Sequence, residues 1–510
     1  MTCYFIEKLP YHRDAAALFG PFANSTGAIW LDSSQHARGR FDVFATNPLL
    51  TLTAHDNTFS LTGPAATNEL TQHLHQLSSA PPAARLFKLI ESIRVSLFAS
   101  SKQNNEQTRN LTPAQQQWLP GVMGLLSYSA GSVDLTLVPQ KDGVSWPQAY
   151  LGYYAWLVVV DHQEQCAWLI AHTQLTKEFD CRIEAITARL RTTHNDDNAA
   201  STGITSAIPP APHEGDSASI QNPTALSALF QPQPDQNYSK QFERVKAYLT
   251  AGDCYQINLA RRFQCQVTKP GFELYKTVRQ YTRAPYSGFF KTDHGHCLCF
   301  SPEQFLTLTP QRELSTSPIK GTRPRAENPK EDRAIAEDLA ASAKDRAENL
   351  MIVDLLRNDF GRICQAHSIH VPQLMAVHSF STVHHLISEV KGRLRDGVSP
   401  EEALSACFPG GSITGAPKKR AMQIIDELEL YSRHAFCGSL CHLGANGTLN
   451  ANICIRTGIL QENTFTLWAG GGIVIDSELE TEWVETLWKV QKILEACQET
   501  APPSNPKQLN

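Results

Sequence analysis

No apolar run in this 510-residue chain approaches the ~18 residues that a transmembrane helix needs, so a membrane-spanning protein of the helical kind is not expected. The opening Met1-Thr-Cys-Tyr-Phe-Ile-Glu-Lys-Leu-Pro10 lacks the charged segment and apolar stretch of a secretory leader, and a cytoplasmic location is expected. Basic blocks are missing too. The 45 Lys and Arg are interspersed with 50 Asp and Glu for a net charge of −5, which leaves no electrostatic footprint for nucleic acid. The 13 cysteines are odd in number, and their closest pairs, Cys297/Cys299 and Cys437/Cys441, match neither zinc nor redox spacings. Reduced, mostly buried thiols are expected.

Lysine and arginine vanish altogether between Arg191 and Lys240, where Ala, Ser, Thr, Pro, Asn and Asp dominate. Such a composition buries too little apolar area to offset its ordering entropy, which predicts a linker over 193–236. It separates a strand-rich region, 1–192, from a second block, 237–497, followed by a Pro-rich tail, 498–510. In the first region the runs Arg40–Ala45, Ala155–Val160 and Cys166–Ala171 read as strands, the last two joined as a hairpin through His162–Gln165. The second opens with a helical pattern through Phe242, Val245 and Leu249. Asn328-Pro-Lys-Glu331 has the cap, proline and glutamate of a helix start, so one long helix or two in sequence should run to about Asn358. In the last helix Leu479, Trp483, Leu487, Val490, Leu494 and Cys497 form one apolar stripe.

Beside that stripe Glu482, Glu485, Lys489 and Lys492 are spaced three, four and three apart and project together. They read either as a solvated ion-paired face or as half of a site, because Asp345 and Glu348 form a second acidic pair three residues apart. Two facing acidic pairs would make an all-oxygen site suited to magnesium shared with an anionic substrate. The glycine runs match no standard nucleotide signature. In Phe408-Pro-Gly-Gly-Ser-Ile-Thr-Gly-Ala-Pro-Lys-Lys-Arg420 the lysine does not follow the glycine as a phosphate loop requires, although a helix opening at Pro417 would still face an anion with free N–H groups. Trp468-Ala-Gly-Gly-Gly-Ile-Val-Ile-Asp476 lacks the last glycine of a dinucleotide fingerprint. By residue type alone His385, Glu303 and Arg456 read as ordinary core, surface or ion-pair groups, with Arg456 on one strand face beside Cys454.

Taken in chain order, "GDCYQINLARRF", "SPEQF", "SPIKGTRPR", "DRAENLMIVDLLRND", "VHHLISEV", "FPGGSITGAPKKRAMQIIDELE", "ICIRTG" and "AGGGIVIDSELETEWVETLWK" resemble the chorismate-utilising enzymes from about Tyr238 to Leu494. A looser likeness, through "AIWLDSS" and "GVMGLLSYSAG", links 1–192 to the N-terminal region of anthranilate synthase component I. The resemblance implies an α+β composite fold of two large packed β-sheets with helices outside. It implies chorismate in a cleft of the second block, Mg2+ held by Asp345, Glu348, Glu482 and Glu485, and substrate contacts from Thr322, His385, Arg456, Lys489 and the backbone of Gly470, Gly471 and Gly472. Glu303 matches the general acid/base and Lys320 the nucleophile of the branch that forms 4-amino-4-deoxychorismate. A free lysine amine has a pKa of about 10.4, so a nucleophilic lysine needs its ammonium form disfavoured. Ile319, Arg323 and Arg325 are the neighbours expected to do that.

Related anthranilate-forming enzymes usually have alanine where Lys320 stands, which makes anthranilate synthase component I the runner-up. Isochorismate synthase follows. A non-catalytic chorismate or tryptophan sensor would be expected to have lost some of these acids. No Gly-x-Cys-x-Gly stretch is present, so ammonia is expected from a separate glutamine amidotransferase subunit (component II). By position, Ser33, Pro285 and Tyr286 are candidates for a tryptophan site. One departure stands out: Cys441-His442-Leu443 occupies the place of a "GYL" triplet, where His442 could still donate a hydrogen bond to a carboxylate and the effect of losing the tyrosine is left open.

Overall fold

The computed structural model describes residues 3–55, 58–67, 70, 82–98, 110–131, 144–200, 233–380 and 383–498. Two antiparallel sheets of eleven strands each dominate it. In the first, the strands run in the spatial order Tyr4–Leu9, Cys166–His172, Trp156–Asp161, Phe41–Ala45, Ile29–Asp32, Tyr286–Thr292, Gly295–Ser301, Thr457–Gln461, Thr464–Ile473, Gln256–Gln266 and Gly415–Ala416. In the second the order is Ile319–Pro324, Val383–Arg393, Glu313–Thr316, Gln304–Leu308, Leu449–Asn452, Ser439–Gly444, Gly121–Leu126, Ala149–Tyr154, Leu50–His55 and Thr58–Thr62, with His370–Ser379 also paired to Val383–Arg393.

Each sheet therefore crosses from one end of the chain to the other. Ile29–Asp32 pairs with Tyr286–Thr292 in the first sheet, and Gly121–Leu126 with Ser439–Gly444 in the second. Alternation along the strands explains how the layers form. Leu157 and Val159 face a core shared by the two sheets, whereas Val158 and Val160 join a second core on the outer face of the first sheet. Helices Gln236–Thr250, Gly271–Thr282, Lys418–Leu428 and Leu479–Gln498 bury their apolar stripes in that second core. Trp483, Leu487, Val490, Leu494 and Cys497 are all buried there, and Leu479 packs against them. Full burial of each large aliphatic or aromatic side chain contributes roughly 1.5–3 kcal/mol.

Several expectations meet their counterparts. Strands Phe41–Ala45, Trp156–Asp161 and Cys166–His172 are present, the last two as a hairpin. The segment after Asn328 forms two helices, Pro329–Ala341 and Ala343–Gly361. Asn328 caps the first by accepting from Lys330 N–H at 2.9 Å, and Ser342 ends it and caps the second. Helix Ile183–Ala200 runs into the stretch expected to be a linker from 193, and Asp235 caps helix Gln236–Thr250 at its other end. Residues 201–232 of that stretch, and 499–510 of the tail, lie outside the described residues. All thirteen cysteines are free and most are buried. Among the described residues no helix is long and apolar enough to cross a membrane.

A buried cluster fastens strand Ile29–Asp32 to helix Gly271–Thr282 beside the first sheet junction. Asp32 accepts from Arg279 Nε at 2.5 Å, Arg279 Nη2 at 3.0 Å and the Tyr275 hydroxyl at 2.6 Å. Removing one partner of such a pair strands a charge in the interior, at a cost of about 3–5 kcal/mol. Arg279→Ala is expected to lower unfolding stability by about that amount in urea titrations; a loss below ~1 kcal/mol would show that the cluster is not a fastening.

Candidate active site

Lys320 lies on the strand Ile319–Pro324 at the edge of the second sheet, across which helices Pro329–Ala341 and Ala343–Gly361 pack. The close approach depends on Gly321. Its φ is +83°, and a Cβ there would stand 3.0 Å from the carboxyl carbon of Asp345. With strand and helix drawn together, Lys320 Nζ reaches 3.9 Å from Glu348 Oε2 and its side chain is only 14% exposed. The two arginines expected beside it are engaged elsewhere. Arg323 Nη2 pairs with Asp345 at 2.9 Å, and Arg325 clasps Asp332 with two bonds of 2.7 Å. The charge next to Lys320 is thus a carboxylate, in place of the guanidinium that the sequence suggested.

Glu303 is buried between strands Gly295–Ser301 and Gln304–Leu308. Its backbone is pinned twice, its N–H donating to Ser301 Oγ at 3.1 Å and its carbonyl accepting from Ile453 N–H at 3.1 Å. The side chain accepts a hydrogen bond from Ser412 Oγ at 2.8 Å. Burial pushes the carboxyl up to about 7, against the opposing pull of Ser412 and of the Lys320 and Lys489 charges. A carboxyl poised there can both give and take a proton at neutral pH.

Strand register sets Thr322 opposite His385, and Thr322 Oγ1 lies 2.8 Å from His385 Nδ1. Burial, then the charges of Arg456 and Arg38 and the rings of His36 and His378, lower the imidazole to about 4, so it is neutral at pH 7. Arg456 departs from the strand position expected of it. It sits in a bend between Leu449–Asn452 and Thr457–Gln461 with φ +51°, which turns it out of register with Cys454. Burial lowers its pKa, and among the described residues no acid side chain pairs with it. A guanidinium left without a counterion beside a neutral histidine is a ready seat for a carboxylate.

Gly470, Gly471 and Gly472 lie in strand Thr464–Ile473, opposite Ala260, Leu259 and Asn258. A Cβ on Gly470 would stand 2.6 Å from the Leu259 carbonyl oxygen, so the neighbouring strand is one reason for glycine here. Lys489 Nζ donates to the Gly470 carbonyl at 2.8 Å and pairs with Glu485 at 2.6 Å. Glu482 accepts from Ser477 Oγ at 2.7 Å; burial and the Glu485 charge raise its pKa. Glu485 is also disfavoured as an anion by burial, but Lys489, Lys320 and Lys344 outweigh that and hold it below its usual value. Lys320, which also reaches Glu348, thus links the two acidic pairs electrostatically. Among the described residues, however, no three His, Cys, Asp or Glu side chains converge as a metal site.

His442 does not face this cleft. It is fully buried, its Nε2 donates to the Leu119 carbonyl at 2.8 Å, and its ring lies 5.0 Å from that of Trp118. The hydrogen bond it could have given a carboxylate is given to the backbone instead. Pro285 and Tyr286 line a separate cavity of about 420 Å³ with Asp32, Arg38 and Trp118. Ser33 is not on its wall; its hydroxyl is buried and has no hydrogen-bond partner among the described residues. Two residues escaped the reading of the sequence. Ser412 lay in a glycine-rich run judged by its backbone, and Arg38 is carried to His385 from far upstream, a placement that no local spacing signals.

The chorismate binding enzyme family matches residues 60–495. The chain belongs to that family. Among its relatives, aminodeoxychorismate synthase component 1 of Klebsiella aerogenes is 35% identical over 96% of this chain and 97% of its own length. The protein of the same name from Salmonella typhimurium is 36% identical over 96% of this chain and 97% of its own length. Among solved structures, anthranilate synthase component I from Streptococcus pneumoniae superposes with a TM-score of 0.65 at 26% identity, covering 89% of this chain and 92% of that one.

Chorismate is a dianion, and a guanidinium without an acid partner is a cation open to one of its carboxylates. Charge-assisted hydrogen bonds of this kind contribute about 1.5–3 kcal/mol each, or roughly 10- to 100-fold in affinity. Arg456→Met is expected to weaken chorismate binding by about that factor in calorimetric titrations while the fold is retained; unchanged affinity would remove Arg456 from the site.

Proposed function

We propose that this protein converts chorismate and ammonia into 4-amino-4-deoxychorismate, the precursor of 4-aminobenzoate in folate biosynthesis, through a covalent adduct on Lys320. The observation that carries the reading is the lysine itself, a sparingly exposed amine set within electrostatic reach of a buried carboxyl poised at about 7. Relatives of nearly the same length carry the matching name, and that name, "component 1", supports a second component. A glutamine amidotransferase is assigned that part, since no glutaminase nucleophile motif occurs in this chain.

In the proposed reaction the neutral Lys320 amine adds to C2 of the ring while Glu303 protonates the 4-hydroxyl, which departs as water. Ammonia then attacks C4, the ring double bonds shift back, and the bond from C2 to Lys320 breaks to return the free amine. Glu303 recovers its proton from the incoming nitrogen, and the sum is chorismate plus ammonia giving product plus water. Arg456 and Lys489 orient the substrate carboxylates, with Thr322, neutral His385 and the backbone of Gly470, Gly471 and Gly472 completing the wall. The donor chemistry of Asp345, Glu348, Glu482 and Glu485 fits a hard divalent cation, each carboxylate now being matched by a protein donor: Arg323, Lys320, Ser477 and Lys489. Bound there, Mg2+ would neutralise the ring carboxylate. The cytoplasm is the proposed compartment, which the thirteen free cysteines support.

Incubation with chorismate, Mg2+ and an ammonium salt should give aminodeoxychorismate, and chelating the metal should abolish it. Anthranilate or isochorismate as the main product would overturn the reading. Lys320→Ala should lose most product formation while still binding chorismate, and the wild-type protein held without ammonia should gain a substrate adduct on the Lys320 peptide. Wild-type turnover by the alanine variant would reduce Lys320 to a positive charge in the cleft. Tryptophan is assigned to the cavity around Pro285 and Tyr286, where Arg38 lines the wall and suits its carboxylate. Calorimetry with tryptophan should give saturable heat that Arg38→Ala removes, and a flat titration would withdraw the assignment.

A further inference from the structure

We infer that Ser412 is a positioning residue for the acid: its hydroxyl holds the Glu303 carboxyl in one orientation toward Lys320 and governs when that carboxyl carries a proton. The inference rests on the proposed role of Glu303 and adds to it a residue outside the set assigned from the family resemblance.

The geometry begins in the backbone. Ser412 occupies a single 3₁₀ turn, Gly411–Ile413, between helix Pro400–Cys407 and strand Gly415–Ala416. Two glycines press that turn into the protein. A Cβ on Gly410 would stand 2.6 Å from Ile453 Cδ1, and one on Gly411 would stand 2.4 Å from Leu355 Cδ2. Thr414 Oγ1 closes the turn by donating to the Gly410 carbonyl at 3.0 Å. Ile453, against which the turn leans, is the residue whose N–H donates to the Glu303 carbonyl. Turn and acid are therefore fixed against one residue, and the 2.8 Å bond from Ser412 Oγ to Glu303 Oε1 spans a short, rigid gap.

Direction decides the effect. A hydroxyl that donates to a carboxylate stabilises its anionic form, so Ser412 works against burial. The other charged or titratable groups near Glu303 are Lys320, from the edge strand, and Lys489, from the C-terminal helix, with the buried Cys437 thiol on a third side. The two lysines are shared with Glu348 and Glu485 respectively. Among the described residues Ser412 is the one that donates a hydrogen bond directly to the Glu303 carboxyl, and it belongs to neither acidic pair. Without it the carboxyl would hold its proton to higher pH and would be free to turn away from the amine.

Two readouts test this. With free ammonia held constant across the titration, the wild-type pH–rate profile should show an alkaline limb near 7, as the acid loses its proton. Ser412→Ala should move that limb upward by about one unit, with lower kcat and nearly unchanged KM for chorismate, and Ser412→Thr should bring it back. The second readout needs no turnover: infrared difference titration of the Glu303 carboxyl, with Glu303→Gln as the blank, should show the same upward displacement in Ser412→Ala. A carboxyl titration that does not move in the correctly folded alanine variant overturns the inference. If the wild-type protein makes no aminodeoxychorismate while the infrared titration moves as expected, the proposed reaction fails and the role of Ser412 stands.

Discussion

Backbone pairing between Gly121–Leu126 and Ser439–Gly444 is the constraint on which the rest of the structure depends. The six residues of each strand are buried, so the ladder runs through the interior where no water can replace a missing bond. Gly121 shows how tight the contact is, since a Cβ there would stand 2.2 Å from the Leu443 carbonyl oxygen. The matching junction in the other sheet, between Ile29–Asp32 and Tyr286–Thr292, is flanked by the cluster of Asp32 with Arg279 and Tyr275. Regions far apart in the chain thereby share two sheets and one core. The cleft is built where the later strands of both sheets end, and the earlier strands give those sheets their width.

Within the cleft, charges are interleaved. Lysines stand between acids, and Arg323, Lys320 and Lys489 each pair with a carboxylate of the cleft. Three groups break the pattern. Among the described residues Arg456 has no acid partner, and Glu303 and Glu482 each accept from an uncharged serine hydroxyl. Charges and dipoles fixed in this way are organised before a substrate arrives, which is the electrostatic economy that catalysis favours.

The sequence showed more of the local structure than of the placement. Period and capping gave the stripe from Trp483 to Cys497 and the helix start at Asn328, because each is decided within a few residues. The hairpin of Trp156–Asp161 and Cys166–His172 was legible for the same reason. Arg456 was misplaced because its left-handed backbone answers to packing, and a string of letters carries no φ. The partners of Arg323 and Arg325 lie on helices that contact the strand only after folding, so their engagement with Asp345 and Asp332 could not be read from spacing. His442 shows the other limit. A donor type in the right motif position tells nothing of where its hydrogen bond is spent, and here it is spent on Leu119. Helix Ile183–Ala200 outran composition because composition averages over residues, whereas a helix already begun extends one bond at a time.

Sharing strands between distant parts of the chain sets a schedule for its synthesis. Gly121–Leu126 can pair with Ala149–Tyr154 as soon as both have left the ribosome, but its other edge waits for Ser439–Gly444. At typical elongation rates that wait is roughly 15–60 s. During it the nascent chain presents an unpaired, wholly apolar strand, Gly-Val-Met-Gly-Leu-Leu, whose free N–H and C=O groups are a template for any other extended segment. The architecture that makes the finished sheets continuous therefore exposes the growing polypeptide to mispairing with its own kind.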